Sequence, residues 1–244
     1  MSYRRFLLTS PPLENKAILQ GEEAYHLSRV LRARPGMKVE LMDGLGKVWS
    51  GVIEQISPER VEIGKMTLLN GDDTREVKID LILALCKTDK LEWILEKTTE
   101  IGVANIYLLN AERSVVKLPA DRLRGRMDRW QKIMNAASKQ SHRSTLPHLH
   151  PPANIEDLLP CVNADLKLML SERIETPPLK TMLRERAWES ASLGIGPEGG
   201  WSSREESLFC EAGFLLANMG QNVLRSETAA IVATAILRYE LGDR

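Results

Sequence analysis

Two glycine-bearing stretches near the carboxyl end hold the residues best suited to chemistry. Gly194 to Ser202 reads GIGPEGGWS, and Leu216 to Ala229 reads LANMGQNVLRSETA. Each follows a short apolar run and opens a helical pattern. Glycine lets a ligand approach the backbone closely, and a helix start offers free N–H donors. Two such loops at neighbouring strand ends predict a ligand cradle, because ligands of α/β sheets bind at the carboxyl ends of the strands. Arg225 stands just before the last helix, where the helix dipole disfavours a cation. That marks it as a candidate functional charge. Lys87 and Lys90, in Lys87-Thr88-Asp89-Lys90, leave another strand on the same side. Glu96 and Lys97, further along, also fit the solvated face of a helix.

Gly194, Gly196 and Gly199 spell G-x-G-x-x-G, a dinucleotide-binding pattern. Three features demote that reading. Such patterns open the first βαβ unit of a domain, yet only 44 residues follow Gly200. Pro197 fixes φ and removes a donor inside the loop. No Gly-Lys-Ser/Thr follows, so a phosphate P-loop is excluded. A purely structural strand-to-helix turn stays open.

The elements that must position these residues change character near Asn70-Gly71-Asp72-Asp73. Before that point lie short runs at 3–9, 16–20, 37–42, 48–56 and 60–69, divided by turn signals at Pro35-Gly36, Asp43-Gly44 and Ser57-Pro58. These read as strands, with one helix over about 22–32. The expectation is a small β-barrel carrying a helix. After the boundary, strands and helices alternate. Residues 79–86 form a nearly continuous apolar run, as in a strand buried on both faces. A helix follows, with Asp89 as N-cap, Glu92 three residues on and Gly102 as its stop. Further strands are expected at 103–109, 166–170, 191–195 and 214–217. Further helices are expected at 122–141, from the Ser202/Glu205 capping box to about 212, and at 227–241. The alternation predicts a mostly parallel sheet covered by helices.

The 244 residues suffice for a core without disulfides or structural metal. Cys86, Cys161 and Cys210 are odd in number, far apart and in no CxxC pair, which argues against both. They read as small buried apolar residues. The four His are too scattered for a metal site. The first residues show no long apolar segment, and no run approaches the ~18 residues that span a bilayer. The expectation is a cytoplasmic protein without membrane or metal. Net charge is +0, which counts against a nucleic-acid binder. The distribution softens that. Arg113 to Arg143 holds nine Lys/Arg against two Asp, and Arg4 to Lys38 seven against three Glu.

GPEGGWS followed by MGQNVLRSETA, with K-T-D-K-x-E-x-x-x-x-K-x-T-E-I-G-V upstream and M-S-Y-R-R-F at the start, resembles the RsmE family. These SPOUT-class methyltransferases make 3-methyluridine in bacterial 16S ribosomal RNA, and the resemblance covers nearly the whole chain. It implies a PUA-like RNA-binding barrel at 1–72 and an α/β methyltransferase domain at 73–244. It also implies a trefoil knot around 190–230 and a homodimer acting on 16S RNA or the small subunit. S-Adenosylmethionine would sit against Leu170, Ile195, Gly196, Gly200, Met219, Gly220 and Leu224. Arg4, Phe6, His26 and Arg32 of the barrel, with Lys87, Lys90, Arg113 and Arg143, would face RNA. Arg225 would stabilise charge on the uridine; Glu198 and Glu100 are candidate bases. Two departures stand out. Met219-Gly220-Gln221-Asn222 replaces the frequent Leu-Gly-Pro-Arg, and His142 stands where glycine is common. The alternatives are ribose 2′-O-methylation on the same fold, a nicotinamide dehydrogenase and a non-catalytic RNA-binding protein.

Overall fold

The computed structural model describes residues 4–70, 78–184 and 187–242. The chain forms two compact units. The first comprises the described part of 1–75 together with Ser138–Leu146; the second takes the rest.

In the first unit, β1 (Arg5–Leu7), β2 (Ala17–Gln20), β3 (Lys38–Met42), β4 (Val48–Ile56) and β5 (Arg60–Asn70) form one curled sheet in the order β1-β3-β4-β5-β2. β1 runs parallel to β3; the other pairs are antiparallel. Alternation puts Leu19, Leu41, Ile53 and Ile63 into one core with Phe6 and Leu27. The expected single helix over 22–32 is instead α1 (Gly21–Tyr25) continued by a π-helical turn, His26–Val30. The wider turn keeps Leu27 buried while leaving His26 and Arg29 exposed.

Ser138–Leu146 joins this unit through Arg5. Its guanidinium binds Glu40 at 2.8 Å and donates to the carbonyls of His142 and Arg143. Lys139 pairs with Glu23. His142 has φ +59, the left-handed region that favours glycine. His142 therefore occupies the position at a conformational cost.

The second unit is an all-parallel sheet, in the order β11-β9-β10-β6-β7-β8. Its strands are β6 (Lys78–Ala84), β7 (Asn105–Leu109), β8 (His148–Ala153), β9 (Leu166–Leu170), β10 (Ser190–Ile195) and β11 (Leu215–Ala217). Both faces are covered. Ile79, Leu81 and Leu83 meet α2 (Thr88–Ile101), α3 (Ala120–Gln140), α5 (Leu179–Arg184) and α7 (Ser226–Gly242). Ile82, Ala84, Tyr107 and Leu109 meet α4 (Ile155–Leu158) and α6 (Ser203–Glu211).

Two expectations change here. The N-cap of α2 is Lys87, with no side-chain cap; Asp89 lies in the first turn, and Glu92 is drawn off to Arg129 at 2.7 Å. Cys161 and Cys210 are exposed; only Cys86 is buried.

Phe209 of α6 is fully buried, edge-on to both Trp201 and Phe214 at 4.9 Å. Phe209→Ala removes both contacts and leaves a cavity. It should lower stability by about 3–5 kcal/mol, measured by urea denaturation; a loss below 1 kcal/mol would show that the site collapses freely.

Candidate functional site

The sheet order brings the carboxyl ends of β11, β9, β10 and β6 side by side. A cavity opens over the first three. All seven residues expected to hold a cofactor line it: Leu170, Ile195, Gly196, Gly200, Met219, Gly220 and Leu224. A second cavity lies toward β6, lined by Lys87, Lys90, Glu172, Glu198 and Arg225 among others.

The loop after β10 is built around Trp201. Its indole N–H donates to the Leu170 carbonyl at 3.0 Å, tying the loop to the end of β9. A Cβ at Gly196 would stand 3.0 Å from that ring, so glycine is what lets the indole lie flat against the strand exit. Gly200 has φ +68 and turns the chain toward α6. Ser226 closes the loop from the other side by donating to the Gly196 carbonyl at 3.1 Å. Asn218 holds the neighbouring loop: its amide donates to the Thr176 carbonyl, and its Oδ1 accepts from the Gly220 N–H at 3.0 Å.

The start of α6 carries the capping box that the sequence predicts. Ser202 Oγ accepts from the Glu205 N–H at 3.1 Å, and Glu205 accepts from the Ser202 N–H at 2.8 Å. The other Glu205 oxygen accepts from Glu112 N–H at 2.9 Å. Glu205 is 1% exposed. A buried carboxylate thus occupies the positive end of the helix, where a pyrophosphate would have to bind. That charge counts against the dinucleotide reading.

Lys90 joins three elements. It hydrogen-bonds Glu198 of the glycine loop and lies 3.6 Å from Glu227 at the start of α7. That bond holds the Glu198 carboxyl below the usual range, with Lys87 and Arg225 adding to it. Arg225 is exposed on the wall of the second cavity.

The basic residues expected on RNA scatter. Arg4, His26 and Arg32 are exposed in the first unit, and Lys87 in the second. Phe6 is 1% exposed, a core ring 6.2 Å from that of His26, and offers no face to a base. Arg113 is turned to the first cavity, donating to the carbonyls of Gly199 and Trp201 at 3.2 and 3.1 Å. Arg143 is half-buried. Trp201, Asn218 and Glu172 escaped sequence reasoning as site residues. The first two stood inside the quoted motifs; Glu172, two residues past a strand end, carried no local signal.

Residues 73–238 match the RNA methyltransferase domain family, and residues 19–65 match the RNA methyltransferase PUA domain. The chain belongs to the RNA methyltransferase family. Among its curated relatives is the Ribosomal RNA small subunit methyltransferase E of Synechocystis sp. It is 29% identical over 96% of this chain and 77% of its own length. The enzyme of that name from Bacillus subtilis is 27% identical over 91% and 89%. A Legionella pneumophila protein, a methyltransferase by assignment and solved with bound S-adenosylmethionine, superposes with TM-score 0.88. It is 29% identical and covers 98% of both chains. Ribosomal RNA small subunit methyltransferase E of Neisseria gonorrhoeae, bound to S-adenosylmethionine, gives 0.84 at 29% identity, again over 98% of both. The fold is thus the SPOUT methyltransferase fold behind a PUA domain. Among the described residues of this RNA methyltransferase, no helix is long and apolar enough to cross a membrane, and no cluster of His, Cys, Asp and Glu is suited to a metal.

Cys86 ends the apolar run of β6 beside this site. Burial, then the charge of Glu227, pushes its thiol up to about 12. At mildly alkaline pH, a chromogenic disulfide reagent should therefore titrate two thiols in the native protein and the third only after denaturation. Three fast-reacting thiols would contradict the burial of Cys86.

Proposed function

We propose that this protein transfers a methyl group from S-adenosylmethionine to N3 of a uridine in small-subunit 16S ribosomal RNA. The observation that carries the reading is the pair of adjoining cavities at neighbouring strand ends. One is walled by glycines at the ends of three strands; the other is lined by Lys87, Lys90 and Arg225. The names of its relatives support the same substrate. The reading includes a cytoplasmic homodimer, a division at residue 72 and a knotted segment around 190–230.

The fit to the cofactor is a matter of room. The Gly196 backbone lies where a side chain would meet Trp201, and Gly200 and Gly220 both have positive φ. The cradle therefore presents bare backbone on two sides. Leu170, Ile195, Met219 and Leu224 would flank the adenosyl group. When bound, S-adenosylmethionine supplies a methyl made electrophilic by its sulfonium.

The protein's own work is alignment and charge. A base in the second cavity is held in line with that methyl, which lowers the entropic part of the barrier. Loss of the N3 proton leaves negative charge shared with O2 and O4. Arg225 and Lys87 face the cavity where those oxygens would lie and stabilise that charge as it forms. The exposed cations of both units would bind phosphates, so affinity should fall steeply with salt.

The test is methyl transfer from labelled S-adenosylmethionine to small ribosomal subunits from cells lacking this protein, followed by nucleoside analysis. Label in 3-methyluridine is expected. Label on a ribose hydroxyl would move the acceptor atom; no transfer would refute the reading. Because Arg225 lines the second cavity and not the first, Arg225→Ala should cut turnover by about 10²–10³-fold. Its affinity for S-adenosylmethionine should stay near that of the parent protein. Unchanged turnover would remove Arg225 from the site.

A further inference from the structure

Transfer to N3 requires a group to take the N3 proton, and the two cavities narrow the choice. A methyl passing from one to the other crosses the wall they share: Glu172, Pro197, Val223, Leu224 and Ser226. Glu172 alone among these carries a carboxylate. Its Oε1 lies 3.3 Å from the point where a Cβ on Gly200 would stand. Glycine at 200 is what leaves that oxygen its room. Glu172 is exposed, and it makes no hydrogen bond or ion pair among the described residues.

The neighbouring carboxylates are committed elsewhere. Glu198 is bound by Lys90, which makes it a poor base. Glu206 pairs with Arg173 at 2.9 Å. Glu227 is buried beside Lys90. Glu100, named from the sequence, pairs with Lys97 at 2.8 Å and lines neither cavity.

We propose that Glu172 is the proton acceptor for N3 of the target uridine, an assignment that rests on the methyl transfer proposed above. The N3–H bond breaks and its proton passes to a Glu172 carboxylate oxygen. The electron pair left on N3 forms the N–CH₃ bond. The S–CH₃ bond breaks, its electrons remain on sulfur, and S-adenosylhomocysteine leaves. Glu172 then loses the proton to water through its exposed side. A carboxylate is a weak base for an imide, so the transfer must accompany methyl attack, with cations lowering its cost. Lys87, Lys90, Glu198 and Arg225 face Glu172 across the second cavity, and Arg113, Arg173 and Glu206 across the first. The arrangement also selects the base. Uridine offers N3–H to a carboxylate, whereas cytidine would oppose it with a lone pair.

Glu172→Gln keeps the size and removes the base. Transfer to small ribosomal subunits at neutral pH should fall about 10²–10⁴-fold. The residual rate should rise in proportion to hydroxide, more steeply than that of the parent protein. Glu172→Asp should recover part of the loss. Titration calorimetry with S-adenosylmethionine and S-adenosylhomocysteine should give the parent ratio between the two affinities. An unchanged rate in the Gln variant overturns the assignment. So does a selective loss of S-adenosylmethionine affinity over that of S-adenosylhomocysteine, which would make Glu172 the counter-charge of the sulfonium. A parent protein that methylates nothing fails the proposed function itself; an active parent with an indifferent Gln variant fails the proton acceptor alone.

Discussion

β10 pairs in parallel with β6 along all six of its residues and with β9 along four, and the rest of the second unit follows from that placement. A parallel neighbour cannot be reached by a tight turn, so each connection must cross over the sheet, here largely through helices. The chain leaves β9, returns as β10 beside it, then returns again as β11 on the far side of β9. Three strand ends with three successive loops are thereby set next to one another, and β6 adds a fourth. Neither cavity exists in any one of these loops. The shared wall belongs to the loops after β9, β10 and β11 together, which is why Glu172, Pro197 and Leu224 meet although they are distant in the chain.

The capped start of α6 disfavours a phosphate at that helix end. Many α/β folds turn a helix N-terminus toward an anionic ligand. Here the Glu205 carboxylate, accepting from the Ser202 and Glu112 N–H groups, puts a negative charge at that end. A buried carboxylate is tolerated because its hydrogen bonds and the helix dipole offset its desolvation. A pyrophosphate near that end would be repelled by this charge; a cationic sulfur would not be. The glycines therefore serve close approach without serving phosphate, and G-x-G-x-x-G alone does not distinguish the two.

Much of this was legible because it is local. The Ser202/Glu205 box, the apolar run of β6 and the glycine loops depend on residues within a few positions of one another. What escaped depends on distant partners. Nothing near Asp89 shows that Glu92 will be taken by Arg129. β8, His148–Ala153, carries two prolines and no β-branched residue; it forms because an edge strand has one side free of ladder bonds. The π-helical turn at 26–30 has no sequence signature, only the need to bury Leu27. Arg5 draws residues 138–146 into the first unit from more than 130 positions away. Phe6 was placed at the RNA by the family resemblance alone; a recurrent aromatic position serves core as readily as recognition, and Phe6 is core.

The zero net charge becomes consistent with an RNA substrate once pairing is considered. Arg129, Lys97, Arg204 and Lys139 are neutralised by Glu92, Glu96 and Glu100, Glu112 and Glu156, and Glu23. These pairs are mostly exposed and add little stability individually, yet they take those cations out of reach of phosphate. Arg4, Arg29, Arg32, Lys87, Arg122, Arg124 and Arg225 are exposed and make no ion pair among the described residues. Phosphate binding depends on such unpaired cations, since a paired one must first break its own contact. The acidic residues that cancel the total charge therefore select which basic ones remain available, and the two cations left free beside the second cavity, Lys87 and Arg225, are those nearest the proposed chemistry.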